Sequence, residues 1–142
     1  MPDLIVFLQC TSPVRSPEDI DQAIQTLERD NADSLFSACR NDKFIWRLRN
    51  DVPVPLNYDP AARPREQDCP IEFRENGSLY LFKPWVLEQK QCRMGGKLAV
   101  YEMGFWSSFQ LDTQEDLQLL EWIMKEKPSE SALCLNRMQG DH

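Results

Sequence analysis

Residues able to do chemistry are densest between Arg63 and Tyr80, where three arginines, four acids and an Asn76-Gly77 pair fall within eighteen positions. Arg63, Arg65 and Arg74 carry planar forks of N–H donors that suit carboxylate or phosphate. Glu66, Asp68, Glu72 and Glu75 are the acids able to pair with them. An Asn-Gly pair readily takes φ > 0, so a tight turn is expected at 76–77, followed by a strand over Ser78–Phe82. Composition alone reads this stretch as a solvated loop with a hairpin turn. The histidine His142 is the only one and is the last residue, which excludes an internal histidine base and with it a Ser-His-Asp triad. The cysteines Cys10, Cys39, Cys69, Cys92 and Cys134 are odd in number and widely spaced, with no Cys-x-x-Cys pair. Neither a disulfide framework nor a zinc site is expected, and a reducing cytoplasm fits.

A chain of 142 residues is enough for one domain with a core of its own. The net charge of −7 argues against nucleic acid or an anionic membrane as a partner. No apolar run approaches the roughly 20 residues of a membrane helix, and the residues given lead to no expectation of a basic-then-apolar leader.

The elements that must position these groups follow from pattern. Leu4–Leu8 is a continuous apolar run, expected as a strand buried on both faces of a parallel sheet. Gln9-Cys10-Thr11-Ser12-Pro13 lies at its carboxyl end, where open α/β sheets bind ligands. Ser16 is the expected N-cap of a helix with Pro17 at its first position and Asp19 favouring the dipole. Ile20, Ala23, Ile24 and Leu27 mark its buried face. Ser34–Ala38 is the next strand, completing a βαβ unit. From Arg40 to Pro64 the chain turns aromatic and proline-rich, and Val52-Pro53-Val54-Pro55 cannot be a central strand. This is expected to be an irregular arm that packs on a partner surface. Pro84 starts a helix through Leu87, and Gly95-Gly96-Lys97 turns into the strand Leu98–Met103. Phe109–Leu111 reads as a last short strand. A final helix, capped by Thr113-Gln114-Glu115-Asp116, turns Leu117, Leu120, Ile123 and Met124 inward. The region from Pro128 to His142 reads as a polar, frayed tail.

Taken in order, Leu8-Gln9-Cys10-Thr11-Ser12-Pro13, Ser34-Leu35-Phe36-Ser37, Arg63 to Tyr80, Gly95 to Met103 and Leu111 to Asp116 resemble the acylneuraminate cytidylyltransferases, the CMP-sialic acid synthetases. The resemblance runs to about Lys127 and rests on the order and spacing of these stretches rather than on any one. It implies an α/β fold with a Rossmann-like nucleotidyltransferase sheet, that of the nucleotide-diphospho-sugar transferases, with a protruding dimerisation arm at about 40–64. It implies transfer of CMP from CTP to the anomeric hydroxyl of a sialic-acid-like nine-carbon acid, with Mg²⁺ neutralising phosphate charge and pyrophosphate leaving. It also implies a homodimer.

Carried over by position, Gln9 matches a glutamine that contacts the sugar, or else satisfies loop backbone at a strand end. Asp112 matches a metal-binding aspartate, or else approaches a helix capped by Thr113. Arg65 and Arg63 match basic positions facing the sugar acid or phosphates, or else pair on the surface with Glu66 or Asp68. Asn76 and Tyr80 match the motif lining the sugar pocket, with Tyr80 alternatively in the core. Phe44, Trp46 and Tyr58 match the anchors of the arm. The chain departs from the family at Cys10, usually Pro, and at Glu66, usually Arg. It departs again at Ile45, usually basic, and at Gln110, where many members carry a first aspartate two before Asp112. These departures admit a bacterial-type nonulosonate, a CMP-Kdo synthetase-like enzyme or a non-catalytic sugar-acid-binding remnant. No stretch matches the family's Gly/Ser/Lys-rich loop for the CTP triphosphate. Gly95-Gly96-Lys97 lacks the spacing of a phosphate loop and precedes a strand. The expectation is therefore the acceptor-sugar half, metal region and arm, incomplete at the N-terminus. If Arg65 reads the sugar carboxylate, Arg65→Ala lowers sugar-acid affinity by about tenfold, the worth of one charge-assisted hydrogen bond. Arg63→Ala lowers it less in the same calorimetric titration, and equal effects would return the stretch to a turn.

Overall fold

A computed structural model describes residues 1–126. The regular elements are β1 (Ile5–Leu8), α1 (Asp19–Arg29), β2 (Ser34–Asn41), β3 (Trp46–Arg49), β4 (Val52–Pro55), β5 (Glu72–Phe82), α2 (Pro84–Lys90), β6 (Leu98–Glu102) and α3 (Gln114–Glu126). Four strands form one sheet in the order β1-β5-β2-β6, and β3 with β4 makes a separate two-stranded ribbon. β2 and β6 are parallel, whereas β5 runs antiparallel to both β1 and β2. This is an α/β mixed sheet of the expected Rossmann-like kind.

Helical periodicity predicts the packing on one face. Ala23 and Leu27 of α1 are buried against Leu35, Leu79, Leu81 and Ala99, with Ile20 and Ile24 alongside. Each fully buried leucine of this set contributes about 1.5–3 kcal/mol by leaving water, and the alanines less. On the other face Val86 and Trp85 of α2 cover Tyr80, Phe82, Phe36 and Ile5. α3 builds a third cluster, in which Leu120 and Ile123 meet Val14, Trp106, Phe109 and Leu111.

Several local expectations are corrected. Leu4–Leu8 is not a doubly buried parallel strand. Its strand residues form an antiparallel edge in which Val6, Phe7 and Leu8 are 37, 40 and 41% exposed. β5 takes the central place instead, because Leu79 to Phe82 are buried on both of its faces. β1 and β2 run in the same direction across α1, but β5 lies between them. α1 begins at Asp19, not Pro17; the Ser16 side chain does not cap it, and the Ser16 N–H donates to Asp19 Oδ2 at 2.6 Å. Residues 109–111 form no strand: a 3₁₀ turn over Phe105–Ser108 precedes them, and the Leu111 N–H donates to Thr11 O at 2.7 Å. Met124 is exposed, because one helical step beyond Ile123 turns it off the buried stripe.

The arm is not irregular. Trp46–Arg49 pairs with Val52–Pro55, and Asn50 and Asp51 both take positive φ (50° and 62°), as a two-residue hairpin turn requires. The prolines are tolerated because a two-stranded ribbon has no central strand. The capping of α3 matches expectation. Asp116 N–H donates to Thr113 Oγ1 at 3.2 Å, and Thr113 N–H returns a bond to Asp116 Oδ2 at 2.8 Å. The expected polar tail lies outside the described residues.

At the end of the sheet remote from the β1 loop, Asp33 ties three elements together. Its carboxylate accepts from Lys83 Nζ and Lys97 N–H, each at 2.9 Å, and its carbonyl accepts from Lys83 N–H at 3.0 Å. The Lys83 bond first, then the Lys97 amide, hold the Asp33 carboxyl below the usual carboxylate range. Its folded pKa is depressed, so the stability it contributes is present above the unfolded value of about 4 and lost as pH falls through the folded one. Thermal unfolding from pH 6 down to pH 2 is expected to show a shallower acid loss in Asp33→Asn than in the parent chain.

Candidate active site at the strand ends

The site begins with a misfit between two strands. From Phe36 to Ala38 β2 advances two residues, while its partner β5 advances five, from Tyr80 to Glu75. Asn76-Gly77 is therefore not a hairpin turn but a bulge inside one continuous strand, with Gly77 at φ +68°. The bulge drives the Asn76 side chain inward until the residue is 1% exposed.

The side-chain amide of Asn76 and its carbonyl all find partners there. Its Oδ1 accepts from Ser37 Oγ at 2.6 Å and from Ser78 N–H at 3.3 Å. Its Nδ2 donates to Ser107 O at 3.0 Å. Its carbonyl accepts from Ser12 Oγ at 3.0 Å and Gln110 Nε2 at 2.7 Å. Ser37 Oγ in turn accepts the Leu79 N–H at 2.8 Å. Asn76 thus joins β2, the loop after β1 and the 104–112 loop, and its amide is engaged inside the protein.

Above the bulge, a Cβ on Gly77 would lie 2.5 Å from Gln9 Oε1, 3.0 Å from Gln110 Nε2 and 3.4 Å from Ser12 Oγ. Gln9 therefore stands directly over Gly77, and no described residue hydrogen-bonds its side chain. Arg15 braces the far side of the bulge, its Nη1 donating to Ser78 O at 2.9 Å and Ser78 Oγ at 3.1 Å. Asp112 follows the Leu111–Thr11 bond and is exposed, and its carboxylate makes no bond to a described residue.

The other expected residues separate into two further groups. Tyr80 is buried beside Phe7, and its hydroxyl donates a short hydrogen bond to Glu75. Burial first and then the Glu75 bond push the phenol up to about 12, so it is a proton donor at neutral pH. The Arg93 guanidinium lies 4.2 Å from the Tyr80 ring centre and 4.8 Å from that of Phe7. Arg63 lies on the arm, its guanidinium 4.5 Å from the Phe44 ring centre. Tyr58 contacts both Phe44 and Trp46, with centroids at 4.3 and 5.8 Å, so the three aromatic rings form one cluster. Arg65 is exposed and pairs with Asp68 at 2.9 Å. A separate cleft opens at the arm root, where Asn41 and Asn57 both donate to Glu72.

A hard cation would find one carboxylate without a described partner in this loop. Asp112 offers a free carboxylate, whereas Asp116 Oδ2 already accepts the N–H groups of Asp112 and Thr113 at 3.0 and 2.8 Å. Among the described residues no group of three His, Cys, Asp or Glu side chains could hold a metal. Mg²⁺ in general keeps several waters and shares substrate phosphates, so one or two protein carboxylates can be enough for it.

No family model matches the chain. Its sequence does align along most of its length with named proteins. It is 34% identical to N-acylneuraminate cytidylyltransferase A of Danio rerio over 97% of this chain and 34% of that protein. It is 35% identical to the N-acylneuraminate cytidylyltransferase of Oncorhynchus mykiss over 84% of this chain and 28% of that protein. By sequence, this chain is a relative of the N-acylneuraminate cytidylyltransferases. It is also 28% identical to the post-translational flagellin modification protein B of Campylobacter coli over 88% of this chain and 54% of that protein. The chain spans about a third of the length of the cytidylyltransferases it matches. No helix among the described residues is long and apolar enough to cross a membrane.

Ser12, Arg15 and Gln110 were not among the residues expected at the site. Thr11-Ser12-Pro13 carried a signal through its place at a strand end. Gln110 stood out only as a departure from the cytidylyltransferase pattern, and Arg15 carried no signal because its partner Ser78 is 63 residues away. Asn76→Ala strips Ser37 Oγ of its acceptor and leaves Ser107 O unpaired, an expected loss of about 2–4 kcal/mol in urea denaturation. Gly77→Ala incurs about 1–2 kcal/mol of left-handed backbone strain in the same assay.

Proposed function

We propose that this chain supplies the acceptor-sugar and metal-facing part of a CMP-nonulosonate synthetase. The overall reaction is transfer of CMP from CTP to the anomeric hydroxyl of a sialic-acid-like acid. The hydroxyl oxygen bonds to the α-phosphorus, the bond to the β-phosphate oxygen breaks, pyrophosphate departs with that electron pair, and the hydroxyl proton passes to water. The observation that carries the reading is the meeting of Gln9, the Gly77 bulge and the Asp112 loop at the carboxyl end of β1. Relatives named for N-acylneuraminate cytidylyl transfer support it.

In this reading the chain's work is positional. Gln9, whose side chain has no hydrogen-bond partner among the described residues, hydrogen-bonds the sugar above the bulge, and the exposed Arg65 is available to its carboxylate because a surface pair with Asp68 is worth only about 0–1 kcal/mol. Asp112 would hold Mg²⁺, which when bound offsets negative charge on the phosphates. Held in line, the reacting groups gain chiefly from orientation. The Phe44–Tyr58–Trp46 cluster would pack on a second copy, making the working unit a homodimer.

A second reading, a sugar-acid-binding module without catalysis, is favoured by the single free carboxylate at Asp112. Calorimetry of the 142-residue chain with N-acetylneuraminate, paired with a pyrophosphate-release assay containing CTP and Mg²⁺ on the chain joined to a CTP-binding N-terminal part, separates the two. The proposal expects both binding and release. Binding without release leaves the module, and absence of binding removes both.

A further inference from the structure

We propose that Arg93 is a specificity-determining residue of this site, donating from its free guanidinium edge to an oxygen of the sugar acid bound beside Gln9. Two oxygens of such an acceptor suit a fixed cationic fork, those of its carboxylate and that of its acylamino carbonyl. The inference rests on the acceptor-sugar reading above and adds to it a residue which that reading does not use.

The placement follows from strand register. Phe7 of β1 is the partner of Tyr80 on β5, and their ring centres lie 6.1 Å apart. Arg93, in the loop between α2 and β6, lays its guanidinium over both rings, 4.8 Å from the first and 4.2 Å from the second. Gln9 is two residues beyond Phe7, and Gly77 is three before Tyr80. Gln9 Oε1 stands 2.5 Å from the position a Gly77 Cβ would occupy. Side chains two apart on a strand share a face, and two residues of extended chain advance about 7 Å. The guanidinium therefore lies one step along the same wall from Gln9.

That geometry leaves the useful part of the group unspent. A guanidinium held flat on aromatic rings keeps its N–H donors in its own plane, directed past the rings. Among the described residues none hydrogen-bonds or ion-pairs with the Arg93 guanidinium. Glu75, the acid on the adjoining part of β5, accepts instead from the Tyr80 hydroxyl. Tyr80 is 3% exposed, so the ring beneath Arg93 is fixed by packing and by that bond. A fork ordered before the ligand arrives loses less freedom on binding than a free surface arginine. The remaining arginines of this region are placed otherwise. Arg15 is spent on Ser78, Arg63 rests on the arm and Arg65 pairs with Asp68. Arg93 lies over β1 and β5, the strands that carry Gln9 and Gly77 to the site.

Calorimetric titration of the full 142-residue chain and of Arg93→Met tests this with three ligands. They are N-acetylneuraminate, its uncharged methyl ester, and the deaminated acid that carries a hydroxyl in place of the acetamido group. Methionine keeps an apolar stem over the rings and removes the fork. Arg93→Met is expected to weaken N-acetylneuraminate about tenfold, the worth of one charge-assisted hydrogen bond. The analogue lacking the group that Arg93 reads is expected to lose at least threefold less. A smaller loss for the ester assigns Arg93 to the carboxylate, and a smaller loss for the deaminated acid assigns it to the acylamino carbonyl. The variant is its own folding control, because the comparison is between ligands on one protein. Equal loss for all three ligands, or affinities unchanged from the parent chain, would overturn the proposal while leaving the acceptor-sugar reading intact. A parent chain that binds none of the three removes that reading and this inference with it.

Discussion

The structure depends on satisfying one buried amide. Asn76 lies inside the protein with an acceptor, a donor and a backbone carbonyl to be paired, and the loop after β1, the middle of β2 and the 104–112 loop each provide a partner. A buried polar group left unpaired costs about 1–3 kcal/mol, so these segments are held to one arrangement rather than a range. The register misfit between β2 and β5 creates this requirement, and Gly77 at positive φ permits it. A regular ladder would have pointed Asn76 along the sheet face and left the loops untethered.

The site inherits its rigidity from that arrangement. β5 has partners on both sides, is covered by α1 on one face and α2 on the other, and carries the bulge near where β1 and β6 finish, with β2 running on past it. The Asp33 knot closes the opposite end through Lys83 and the Lys97 amide. The residues over the bulge are thereby presented by strands and short loops, a placement that limits their movement more than a long loop would.

A chain of net charge −7 must keep positive charge local if it is to receive an anion. The fold does so unevenly. Arg15 is committed to Ser78, and Arg63 and Arg93 lie on aromatic rings, which leaves their N–H edges rather than their faces for other partners. Arg65 retains an exposed pair with Asp68 that solvent and salt weaken. The wall over Gly77 carries carboxamides rather than charge.

Local pattern made the helices and much of the strand inventory legible. The stripe Ile20, Ala23, Ile24, Leu27 and the Thr113–Asp116 capping box depend on neighbours within one or two turns, and both are present in the structure. The motif order was enough to indicate the relationship to the cytidylyltransferases. The Asn50-Asp51 turn that joins β3 to β4 was not legible beside the proline-rich run Val52–Pro55. What the sequence could not determine alone depended on pairing across distance. β5 inserts antiparallel between β1 and β2, and Asn76-Gly77 becomes a bulge instead of a turn. Ser12 and Gln110 meet on a carbonyl 64 and 34 residues away. A Gln110 side chain reads as a missing acid until the Asn76 carbonyl stands before it. The sequence by itself determined which residues are apolar, capped and chemically able. Only the tertiary structure decided which of them face each other, because a hydrogen bond between remote residues exists only once the sheet has set their separation.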